Sequence, residues 1–225
     1  MGCWAQKIVS MYRTVFFVSS LLLSYLSFVS CSREKEMELP YYNAPDFTPQ
    51  FMASPEEAEK KIGHTIAAFS LTDQHGSPIT EKDIEGKIHV ANFIFTSCGS
   101  ICPVMTRQMK RVQEKFGNRP DVVILSYSVT PWMDDVRHLK EYAGENEITS
   151  PNWHLLTGKK SEIYTLARQS YFAEEDLGFT KDSTEFLHTE HVLLIDQSKR
   201  IRGIYNGTLP LEIEQMITDM ERLLK

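Results

Sequence analysis

Cysteine is scarce in this 225-residue sequence: there are four, at positions 3, 31, 98 and 102. So small a number excludes a compact domain stapled by disulfides. An excess of basic charge is also missing. The formal net charge is −6, and Lys7 and Arg13 are the only charges before residue 31, so the chain beyond them carries −8. Binding phosphates needs the opposite sign, which argues against a nucleic-acid partner. Long hydrophobic runs are absent too. The run that does occur, Val15–Ser30, has sixteen residues, and a spanning helix needs about 20. Apolar residues at 42% and charged residues at 24% exclude a disordered, collagen-like or multi-span membrane chain. No internal repeat or low-complexity tract is visible.

What is present begins with a leader. Val15–Ser30 follows two cations and precedes the charged segment SREKEME. That order fits the h-region of a signal peptide behind a basic n-region, and Met11 would begin a tidier version. The run ends Phe-Val-Ser-Cys at Phe28–Cys31, which resembles a bacterial lipobox. Residues 1–31 are then a signal peptide ending at a lipidated Cys31. The other reading is an uncleaved anchor with Cys31 incidental. Both place the rest of the chain in the cell envelope, membrane-anchored and facing the periplasm or extracytoplasmic side. Residues 32–59 read as an extended tether, kept open by Pro40, Pro45 and Pro49. Its aromatics Tyr41, Tyr42, Phe47 and Phe51 are expected to rest in part on the following domain.

Residues 60–225 alternate strand and helix signals. Ala67–Leu71 and Ser77–Ile79 flank a hairpin turn at Asp73–Gly76. Lys87–Thr96 and Asp121–Val129 are nearly continuous apolar runs, expected as adjacent parallel central strands. Val104–Phe116, Asp134–Tyr142, Lys159–Gln169 and Leu211–Leu224 carry helical patterns. His191–Asp196 and Arg200–Tyr205 read as two strands around a tight turn. This order predicts an α/β fold: a thioredoxin-like sandwich, with a central mixed sheet and helices on both faces.

Cys98 and Cys102 fall between the strand ending at Thr96 and the helix beginning near Val104. Four residues apart on one incipient turn, two sulfurs can share a ligand or close a small disulfide. The unpaired N–H groups and dipole of a helix N-terminus favour thiolate over thiol. Pro103 suits a first turn. A purely structural disulfide is the plainer alternative. The CxxxC loop is wider than CxxC, which disfavours routine dithiol exchange and suits a metal between the sulfurs. A third ligand is needed, and among the seven histidines His188 and His191 bracket the segment entering the strand VLLID. Two thiolates and an imidazole make a soft set that suits Cu(I) and can hold Cu(II).

The runs FTSCGSICPVMT, EFLHTEHVLLID and RIRGIYNGT together resemble the Sco/SenC family, from about residue 40 to the C-terminus. The resemblance implies a membrane-tethered, thioredoxin-like copper metallochaperone for cytochrome c oxidase assembly, with no turnover of its own. An oxidase subunit or another copper chaperone would be its partner. Cys98 and Cys102 match the family's thiolate ligands. His188, eight residues before Asp196 and followed by Thr189, matches its histidine, with His191 the second choice. Two positions depart from the pattern. Gly99 stands where the family usually has Pro. Thr130 stands at the first Asp of the family's DPxRDTP stretch, while Asp134 matches the second, so an accessory role for that first Asp does not carry over. A competing function is a thiol–disulfide reductase using Cys98 and Cys102 on an exported partner. A weaker one is a peroxidase-like redox sensor.

Overall fold

The computed structural model describes residues 38–173 and 189–225. In chain order the elements are β1 (Tyr41–Tyr42), β2 (Pro49–Gln50), α1 (Pro55–Lys61), β3 (Ser70–Thr72), β4 (Pro78–Thr80) and β5 (Ile88–Ile94), then α2 (Ile101–Phe116), β6 (Val122–Ser128), α3 (Val136–Glu145) and β7 (Trp153–Leu156), and finally α4 (Lys160–Gln169), β8 (His191–Ile195), β9 (Ile201–Asn206) and α5 (Pro210–Leu223). Among the described residues seven strands form one sheet in the order β2-β1-β9-β8-β5-β6-β7, and β3–β4 form a separate hairpin.

β5 and β6 are buried at all seven positions each, the environment in which a strand reads as an unbroken apolar run. They pair in parallel from Ile88↔Val122 to Ile94↔Ser128, as expected. β7 extends the parallel set, while β8 runs antiparallel to β5, so the sheet is mixed. Alternate residues face opposite sides. Val90, Ile94, Ile124, Val192 and Leu194 pack against α2, α3 and α5. Ala91, Phe93, Leu125, Leu193 and Ile195 pack against α4 and the β3–β4 hairpin. Helices therefore cover both faces.

Several elements lie where the sequence pattern is silent. Residues 38–59, expected as an extended tether, contribute β1, β2 and the start of α1. Tyr42 pairs with Ile201 at the sheet edge. Ser54 caps α1 by accepting from Glu57 N. Arg202 reaches across to the carbonyls of Leu39 and Pro40, at 2.7 and 3.0 Å, and lies 3.7 Å from the centre of the Tyr41 ring. The expected packing of the aromatics is thus a sheet extension held by an arginine. The other addition is β7, four residues long. The side chain of Gln74 completes its outer edge, donating to Trp153 O (2.9 Å) and accepting from Leu155 N (2.8 Å).

Candidate metal centre

The C-terminal ends of the parallel strands and the start of α2 meet at one end of the sheet. After β5 the chain turns at Phe95–Cys98, closed by Cys98 N donating to Phe95 O at 3.0 Å. α2 then begins without a side-chain cap: Ser100, its N-cap residue, makes no such bond. The first-turn N–H groups are free to point elsewhere. Those of Cys102, Ser100 and Ile101 face the Cys98 sulfur. Pro103 sits in the same turn, where a missing N–H loses nothing.

The two cysteines are not joined by a disulfide, and they are not equivalent. Cys98 is partly exposed and Cys102 is buried. Burial by itself would push the Cys98 thiol up, but the three N–H groups and the Cys102 thiol outweigh it, and its pKa is lowered. For Cys102 burial dominates. The negative charges of Cys98 and Asp134 act in the same direction, a backbone hydrogen bond with Phe95 opposes them, and the pKa is pushed up to about 11. The pair is thus one accessible thiol disposed to ionise beside one that holds its proton. Beneath it, the hydroxyls of Thr106 and Tyr142 pair at 2.7 Å.

Asp134 supplies a feature that the sequence pattern does not reveal. The pattern starts a helix at this residue, but Asp135 is the actual N-cap, accepting from His138 N at 2.8 Å. Asp134 is left to turn inward and is fully buried. It accepts from the hydroxyls of Thr96 (2.5 Å), Ser128 (2.6 Å) and Thr130 (2.9 Å). Thr130, the position that the resemblance matches to the first Asp of the DPxRDTP stretch, is therefore a donor to Asp134. The four-residue spacing from Thr130 to Asp134 was the signal available in the sequence, but nothing local tells a cap from an inward carboxylate.

His188 lies outside the described residues. The nearby chain is placed, because a Cβ built on Gly207 would lie 3.1 Å from both Glu190 O and Met105 Cε. Glu190, two residues beyond His188, therefore lies beside a side chain one turn along α2 from Cys102. His191 points away. It shares a sheet face with Leu193 and Ile195 rather than with the α2-facing Val192, and its ring packs on Phe47. Other histidines are engaged elsewhere: His64 with Ser170 O, His89 with the Tyr171 hydroxyl and His154 with Asp73. Among the described residues no group of three or more His, Cys, Asp or Glu side chains converges. The described part of the centre is the two sulfurs, and their softness and spacing fit a copper cargo.

A family model described as SCO1/SenC matches residues 57–225. The chain is similar to a SCO1/SenC family lipoprotein from Bacillus anthracis str. Ames, with TM-score 0.63 and 31% identity, covering 73% of this chain and 97% of that one. It is similar to BsSco, a member of the Sco family of cytochrome c oxidase assembly proteins in which a disulfide switch was identified. There the TM-score is 0.60 at 29% identity, over 71% of this chain and 93% of the other. It is also similar to copper-bound ScoI from Bradyrhizobium japonicum, with TM-score 0.56 at 26% identity, over 71% and 99%.

Proposed function

The chain belongs to the SCO1/SenC family, and from that premise we propose that it is a copper metallochaperone for assembly of the copper site of cytochrome c oxidase. The observation that carries this reading is the pair of unbridged sulfurs, Cys98 and Cys102, at an uncapped helix start. Copper is the cargo. Cys98 and Cys102 hold it, and His188 is the third ligand. The assignment of His188 rests on its place in the family motif and on the position of Glu190 beside Met105. Binding displaces the thiol protons, so affinity weakens as pH falls. Cys98, the partly exposed sulfur, is the one an incoming protein ligand reaches first. The partner is an oxidase subunit or another copper chaperone.

The tether belongs to the same reading. Cys31 carries the lipid, and the domain faces the extracytoplasmic side. A relative described as a lipoprotein supports this. The test of function is copper stoichiometry and spectroscopy on the full chain. One copper should bind with reductant present and be lost on Cys98→Ala or Cys102→Ala. No binding by the reduced protein would overturn the reading.

The inequality of the two thiols favours a second reading, thiol–disulfide reduction of a partner's cysteines. In that case Cys98 attacks and Cys102 resolves, closing the Cys98–Cys102 disulfide as the partner is reduced. His188→Ala separates the two. A reductase keeps its exchange rate, whereas a chaperone loses its metal.

A further inference from the structure

Four aspartates are buried among the described residues: Asp73, Asp134, Asp196 and Asp219. Three have a basic partner, namely His154 for Asp73, Arg202 for Asp196 and Arg222 for Asp219. Among the described residues Asp134 has no ion pair. Its carboxylate is held by neutral donors. Oδ1 takes the Thr96 hydroxyl, and Oδ2 takes the Ser128 and Thr130 hydroxyls, with the Thr96 N–H at 3.5 Å. A buried carboxylate without a cation is expensive unless its lone pairs are filled, and here the donors come from separate places. Ser128 ends β6, Thr130 begins the turn after it, and Thr96 follows β5, two residues before Cys98. Thr96 gives both its backbone N–H and its hydroxyl.

We propose that Asp134 is the positioning residue of the cysteine centre, acting through Thr96 to fix the turn that carries Cys98 and Cys102 against the end of β6. The proposal rests on the reading that this pair binds copper. Past Ile94 the chain leaves the ladder, and among the described residues no further strand pairing holds Phe95–Ser100. Thr96 ties this turn to the end of β6 through Asp134. The carboxylate is also near enough for its charge to act on Cys102. A site held to a fraction of an ångström needs such a support.

The experiment compares three single substitutions in the full chain, because Asp134→Asn removes a buried charge and can fail to fold. Thr96→Val cuts the link to the turn. Thr96→Ser restores it. Ile62→Val removes a methyl group from the separate buried cluster of Tyr41, Ala58 and Ile62, away from the carboxylate and the turn. The readings are Cu(I) affinity by chelator competition, the rate of Cys98–Cys102 disulfide closure by oxidised glutathione without metal, and Tm. Thr96→Val should lower copper affinity by about tenfold or more, in the range for lost support of a metal ligand, and should change the closure rate. Thr96→Ser should stay within about twofold of wild type, since the hydroxyl returns. Ile62→Val should lower Tm through a small cavity and leave both affinity and closure rate within about twofold of wild type, because it touches neither the carboxylate nor the turn. The proposal is overturned if Thr96→Val matches wild type in both affinity and closure, or if Ile62→Val loses affinity in step with its Tm. Should wild type bind no copper, the copper reading fails and the closure rate alone decides the positioning role.

Discussion

His191 and Phe47 meet edge to face, with ring centroids 6.0 Å apart and planes at 86°. The contact places the imidazole on the α4 side of the sheet, away from the helix that carries Cys102. His191→Ala should therefore keep wild-type copper affinity and lose roughly 0.5–1.5 kcal/mol of stability, the range for an aromatic pair. His188→Ala, which removes the proposed third ligand, should lose affinity by about a hundredfold or more, since removing a ligand exceeds removing its support. Copper titration of the two variants side by side checks this, and metal loss by the His191 variant alone would reverse the assignment.

The two thiols should alkylate in a fixed order. Cys98, lowered by the N–H groups around it, should react first with iodoacetamide near neutral pH. Cys102, pushed up to about 11, is on the order of one part in a thousand thiolate at pH 8. Peptide mapping by mass spectrometry after a short pulse reads the order directly. Preferential labelling of Cys102 would contradict the assignment of the accessible thiol.

Gly207 is a close-approach position. A Cβ there would lie 2.6 Å from Val192 Cγ2, and its N–H donates to Glu190 O at 2.7 Å. Gly207→Ala should destabilise by about 1–3 kcal/mol through overpacking and weaken copper binding, because it displaces Glu190 and Met105. Gly144→Ala is the control. It lies in α3 with nothing within 4 Å of a new Cβ, and it should stabilise by about 0.5–1 kcal/mol. Thermal unfolding of both variants tests the contrast, which fails if Gly207→Ala leaves Tm unchanged.

His89 sets part of the acid limit. It is fully buried, Nδ1 has no partner among the described residues, and burial lowers its pKa to about 3, with Lys199 adding to the shift. The unfolded chain takes up this proton near pH 6.5, so the unfolded state binds more protons through the window from about 6.5 down to 3. Stability contributed by neutral His89 is thus present above pH 6.5 and is lost as pH falls, by about 1.4 kcal/mol per pH unit for one proton. His89→Leu should flatten the urea-unfolding free energy between pH 6.5 and 4.5 by about that slope. An unchanged slope would assign acid sensitivity to other groups.

The features legible in the chain were those written over short distances. β5 and β6 announced themselves because both faces of each are covered, leaving no room for polar alternation. The cysteine turn was legible because two sulfurs four residues apart at a strand-to-helix junction are placed by local geometry alone. β7 was not, because four residues carry little pattern and its outer edge is completed by Gln74, which precedes Trp153 by 79 residues. β1 looked like tether for the same reason: it is two residues long, and the strand that joins it to the rest of the sheet and the arginine that holds it belong to β9.

By itself the sequence determined the fold class, the position of the cysteine pair and the soft-metal character of the site, since apolar periodicity and donor type are properties of neighbouring residues. The tertiary structure decided which aspartate caps α3 and which turns inward, which face of β8 His191 occupies, and that Cys98 is the thiol disposed to ionise while Cys102 keeps its proton. Each of these depends on burial and on groups brought together from distant parts of the chain. Thr96, Ser128 and Thr130 converge on Asp134 only once β5 and β6 lie side by side.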